Sequence, residues 1–194
     1  MAGELRSELT GSGRLCVELR RESDRFWQTV WVERGGVRTK VCESREGSAA
    51  DAWPPSPPLQ QLHIEERVDL GAVGLLVGMA GRGHWSLSLE PLAGRTALRW
   101  DAACRFPIAP DFLGSTWRLA HDCGPIRLLN ASQAEWEAAG GLLRATVERI
   151  DDSAPPSTLT IDESNREFQV VAPPIESASV PATARWRFVL EWQS

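Results

Sequence analysis

The sequence predicts an all-β, mainly antiparallel fold, arranged either as a two-sheet β-sandwich or as a closed β-barrel. Most segments alternate apolar and polar side chains at period two, the signature of strands buried on one face. Glycine and proline clusters interrupt these segments at short intervals, and no strand–helix–strand rhythm of a parallel α/β protein runs through the chain. With 194 residues, 42% apolar and 24% charged, positions 1–194 suit a single globular β domain with one core.

The first block is a meander. Leu15, Val17 and Leu19 form one alternating run, and Phe26, Gln28, Val30 and Val32 oppose Trp27, Thr29 and Trp31 in the next. Gly35-Gly36 then supplies the positive φ of a tight hairpin before Val37 to Cys42. A Pro-rich loop follows at about 44–58, where Trp53-Pro54-Pro55-Ser56-Pro57-Pro58 lacks the amides for a ladder and cannot form helix. It reads as a stiff connector docked by Trp53 rather than as a ligand for an aromatic groove.

A second meander takes in Leu62 and Ile64, Val73 to Val77, Trp85 to Leu89, and Leu98 to Phe106. Gly78-Met79-Ala80-Gly81-Arg82-Gly83 leads into a strand rather than a helix, so it reads as a hairpin turn and not as a phosphate-binding loop. One short helix is expected near 132–139. Ser132 and Glu135 have capping-box spacing and Gly140-Gly141 would stop it. Strands resume at Leu142 to Ile150, Leu159 to Ile161 and Phe168 to Val170, and Trp186, Phe188, Leu190 and Trp192 place the last alternating segment in the core.

Charge narrows the partners. A net charge of −5 offers no electrostatic attraction to phosphate backbones, and no stretch concentrates enough Arg and Lys to reverse that, so nucleic acid is not an expected partner. The sequence shows neither an apolar signal core nor a stretch of 18 apolar residues, so a cytoplasmic location and no membrane partner are expected. In that compartment the widely spaced Cys16, Cys42, Cys104 and Cys123 would be reduced, buried thiols.

Catalytic signatures are sparse. The nucleophile elbow Gly-x-Ser-x-Gly, His-Glu-x-x-His and the phosphate-binding Gly-x-x-x-x-Gly-Lys are all missing. His121-Asp122-Cys123 with Cys104 lacks the close cysteine pair of a structural zinc site, so no metal and no cofactor is expected. Asn130-Ala131-Ser132 matches a glycosylation sequon but reads as helix-cap chemistry.

Two surfaces stand out. His63 and Glu65 share one strand face, and His84, Ser86, Ser88 and Glu90 share another, so the two together could line a polar groove. Trp27 and Trp31 oppose an already apolar face, and therefore require cover from the helix, the Pro-rich loop or another subunit. The expected function is binding of a protein partner or small ligand without catalysis, through Trp27 and Trp31 or through Ser86 and Ser88. Its alternative is a hydrolase-type or metal-assisted enzyme using His84, Glu90, His63 and Glu65. A homo-oligomer joined through the tryptophans is the third reading.

Overall fold

The structure, a computed structural model, describes residues 2–10, 13–151, 155–174 and 181–194. In chain order its strands are β1 (Ala2–Arg6), β2 (Gly13–Glu22), β3 (Arg25–Arg34), β4 (Val37–Ser44), β5 (Leu59–Arg67), β6 (Gly71–Ala80), β7 (Gly83–Pro91) and β8 (Ala97–Phe106). They continue with β9 (Gly114–Leu119), β10 (Arg127–Asn130), β11 (Gln133–Ala138), β12 (Gly141–Glu148), β13 (Thr158–Asp162), β14 (Glu167–Val171) and β15 (Ala182–Gln193).

These strands form two antiparallel sheets packed as a sandwich. The first has the order β1-β2-β3-β4-β9-β14-β13, and the second β10-β11-β12-β15-β8-β7-β6-β5. The barrel alternative does not hold, because among the described residues no ladder joins the edges of the two sheets. At one margin the edges meet through side chains, with Gly3 of β1 close against Leu62 and Ile64 of β5. At the other a single backbone bond runs from Leu159 N–H to the Ala131 carbonyl.

The alternation read from the sequence fills the space between the sheets. Trp100 stacks on Phe188 with ring centroids 5.2 Å apart, and Trp117 meets Trp100 edge-on at 5.5 Å. Two buried indoles also tie the sheets by hydrogen bonds. Trp100 Nε1 donates to Gln28 Oε1 at 2.8 Å, and Trp186 Nε1 donates to Ser115 Oγ at 2.9 Å. Both bonds cross from one sheet to the other and so help to fix how the sheets register.

The helix expected near 132–139 is a strand, β11, and no helix occurs among the described residues. Ala134, Trp136 and Ala138 are buried while Gln133, Glu135 and Glu137 turn outward, a period of two that the short segment also permitted. Ser132 caps no helix. Its N–H and Oγ both donate to Asn130 Oδ1, an Asx turn, and Glu135 instead pairs with Arg127 and Arg144 on the flanking strands. Two helical turns alone are marginal in water, whereas pairing with β10 and β12 satisfies the backbone and buries Trp136. Gly140, at φ +72°, closes the β11–β12 hairpin rather than a helix.

Residues 45–58 contain no strand and run over one end of the sandwich. Trp53 packs against Trp85 and Phe106, Ser56 Oγ donates to the Thr116 carbonyl at 3.0 Å, and Pro54, Pro57 and Pro58 are buried. No helix among the described residues is long and apolar enough to cross a membrane.

Candidate functional site

The outer face of the second sheet carries the polar residues singled out in the sequence. Trp85, Leu87 and Leu89 of β7 enter the core, so His84, Ser86, Ser88 and Glu90 are set on the opposite face of that strand. Cross-strand register decides what they meet. His63 stands opposite Leu75, and Leu75 stands opposite Ser88, so His63 is two strands from β7 and four residues out of step with His84. That separates the two histidines by roughly 10 Å across the sheet and roughly 13 Å along it. They do not converge in one cleft.

The carboxylates are already engaged. Glu90 is buried and accepts from Arg99 Nε at 2.8 Å, and Glu65 pairs with Arg67 at 2.5 Å. Asp101, opposite Ser88 on β8, takes bonds from Arg185 Nε at 2.7 Å and Arg187 Nε at 2.9 Å, and those two guanidiniums hold it below the usual carboxylate range against its burial. This face is a set of ion pairs with exposed His63, His84 and Ser86 among them.

Trp27 and Trp31 lie half-buried on the outer face of the first sheet. Of the three covers expected for them, the helix is instead strand β11. The Arg38 guanidinium sits 5.2 Å from the Trp31 ring centroid, a cation–π arrangement, and Cys16 opposite Trp31 is fully buried.

Cys16, Cys42, Cys104 and Cys123 are buried free thiols. Burial pushes Cys42 well above the ordinary thiol range and Cys104 up to about 12, so both stay protonated. Cys123 Sγ donates to the Val41 carbonyl in the first sheet at 3.3 Å, whereas Cys104 belongs to β8 in the second. Among the described residues no three His, Cys, Asp or Glu side chains are placed to hold a metal ion.

A different site emerges where β4 and β9 part. Their ladder covers only Cys42–Leu119, Glu43–Arg118 and Ser44–Trp117. Beyond it Ala120 N–H donates to the Val41 carbonyl at 3.0 Å, and the chain turns and crosses to the second sheet, where Gly124 N–H donates to the Glu137 carbonyl at 2.8 Å. Arg166, in the β13–β14 turn at φ +55°, holds that crossing in place. Its Nη2 donates to the carbonyls of Ala120 at 2.9 Å and Cys123 at 2.7 Å, while its Nε is buried with no partner.

The result is a groove of about 710 Å³ between the N-terminal half of β4, the 120–122 turn and the β13–β14 turn. Arg38, Lys40, Arg118 and Arg166 line it against two carboxylates, Glu43 and Asp122. Arg38 also reaches Glu4 at 2.9 Å, Lys40 pairs with Glu43, and Arg118 shares the buried Glu167 with Arg45. These pairs hold the cationic groups in position. The part-exposed Arg38–Glu4 and Lys40–Glu43 pairs are worth little and exchange readily, so an incoming anion competes with them at small cost, whereas Arg118 stays on the buried Glu167. His121 and Asp122, almost fully exposed, stand at the rim.

Sequence reading missed this groove because its cations come from three separate segments, β4, β9 and the β13–β14 turn. The one local signal was Arg38-Thr39-Lys40, two cations two residues apart and hence on one face of a strand.

No family model matches the chain, and no curated protein is similar to it in sequence.

Proposed function

We propose that this protein is a non-catalytic binding module whose β4/β9 groove receives an anionic ligand. The observation that carries this reading is the gathering of Arg38, Lys40, Arg118 and Arg166 in one groove on a chain with a net charge of −5. With four cationic side chains against two carboxylates in its lining, the groove favours an anion over a cation. The groove is also large enough for several residues or a small organic anion, and strand β4 forms one of its walls.

Binding without catalysis is favoured because the imidazoles and carboxylates best suited to acid–base work, His63, Glu65, His84 and Glu90, sit on the opposite sheet and do not meet. Calorimetric titration with short polyglutamate and polylysine, at low and physiological salt, tests the reading. Polyglutamate should bind, more weakly as salt rises, and polylysine should not. Trp31 fluorescence should report the event, since Arg38 stacks on that ring. Equal binding of both polymers, or none of polyglutamate at low salt, contradicts the proposal.

A further inference from the structure

We infer that the ligand of this groove is an acidic, extended peptide segment of a partner protein, added as an extra strand onto the free edge of β4. This rests on the anionic-groove reading and adds a backbone requirement to it.

The edge follows from ladder geometry. Gly35-Gly36 closes a two-residue hairpin, so Arg34 and Val37 form its terminal hydrogen-bonded pair and every second residue from there faces β3. Val37 and Thr39 therefore direct their amides to β3, and Arg38 and Lys40 direct theirs into the groove. A β-bulge follows. Val30 pairs with Cys42 and Trp31 with Lys40, leaving Val41 as the extra residue, which re-phases the strand so that the Val41 carbonyl can take Ala120 N–H. Up to that bulge β4 is an edge strand within a sheet, open on the side where β9 pairs farther along.

Side-chain placement selects the occupant. Arg38 and Lys40 lie on the outer face of the first sheet with Trp31, and Arg118 shares that face with Glu43 and Glu167. A strand laid along residues 37–40, in line with β9, presents every second side chain on this face, so acidic residues at alternate positions meet Arg38 and Lys40 across the new ladder, with Arg118 at its end. The intervening side chains turn toward the groove floor at Leu119 and Ala120. At about 3.3 Å per residue the free stretch accepts a segment of about four residues. Main-chain bonds supply affinity and alternate side chains supply selection, as in strand addition generally.

The test compares three probes by calorimetry: a hexapeptide with glutamate at alternate positions, the same peptide N-methylated on either alternate set of amides, and an oligoacrylate of equal charge with no peptide backbone. The parent peptide should bind, methylation of the set facing β4 should weaken it about tenfold, methylation of the other set should be tolerated, and oligoacrylate should bind more weakly than the parent. Lys40→Pro removes a groove-facing N–H without breaking the β3 ladder, so it should lose the peptide to a greater extent than Lys40→Ala while circular dichroism stays unchanged. Oligoacrylate binding as tightly as the peptide, or tolerance of both methylated sets, overturns strand addition and leaves the anionic groove standing. Failure of every polyanion overturns both. A concentration-dependent dimer that Lys40→Pro abolishes would give the edge to a second copy of this chain and overturn the peptide assignment.

Discussion

Strands β15 and β4 are each flanked by two neighbours, yet they differ in how much of that flank is used. β15 pairs with β8 from Ala182 to Glu191 and with β12 from Arg187 to Gln193, and its Trp186, Phe188, Leu190 and Trp192 are all buried. β4 pairs with β3 along its length but with β9 over three residues. The first arrangement concentrates buried area and satisfied amides, and the second leaves main-chain groups and cations facing solvent. Stability belongs to β15 and recognition to β4, as expected when binding elements come from the less protected parts of a fold.

The sharpest way to break that division is to damage β15. Trp186→Ala should cost about 3–5 kcal/mol, through a large cavity opposite Ala102 and loss of the bond to Ser115. Urea unfolding measures it. A cost below about 1 kcal/mol would mean that β15 is not central to the core.

A smaller effect is expected at the closed end of β4. Glu46 accepts from Ser44 Oγ at 2.7 Å, but its Oε2 is buried with no partner, close to an equally unpartnered Nη1 of the buried Arg25. Burial pushes the Glu46 carboxyl from 4.5 to about 7, with Arg25 opposing the shift only in part. Its proton is kept by the folded chain and released by the unfolded chain between those values, so this group's contribution is fully present below about pH 4.5 and is lost as pH rises to about 7. Glu46→Gln, which mimics the protonated form, should stabilise the protein by up to about 3 kcal/mol at pH 8 and by little at pH 4. An equal effect at both values would place this carboxylate in water.

The smallest expected change is at Ser132, where Ser132→Ala removes a bond to an exposed Asn130 in a turn and should shift stability by less than about 0.5 kcal/mol. A helix N-cap would lose about 1 kcal/mol. Thermal melts of the pair separate the strand from the helix at this position.

These contrasts mark what was readable in the sequence. Period-two alternation identified β2, β3, β7, β8 and β15, because burial on one face leaves its imprint on neighbouring residues, and a continuous apolar run identified β6. At Ser132 to Ala139 the imprint was ambiguous, since Ala134, Trp136 and Ala138 suit either period over so short a span, and pairing with β10 and β12 decided it. The placement of His63 and His84 on exposed positions was legible, but their separation depends on register across β5, β6 and β7. The groove was not legible. It exists because β4 pairs with β9, a partner far along the chain, and because Arg166 pins the crossing after β9. No local pattern encodes either.

The central claim is that residues 37–40 of β4 form an open edge inside the first sheet. Residue-resolved amide hydrogen exchange by NMR tests it directly. Val37 and Thr39, facing β3, should be protected, Arg38 and Lys40 should exchange much faster, and addition of the alternating glutamate hexapeptide should protect Arg38 and Lys40 while leaving β15 amides unchanged. Equal protection of all four amides in the free protein, or no change at Arg38 and Lys40 with saturating peptide, would contradict the account.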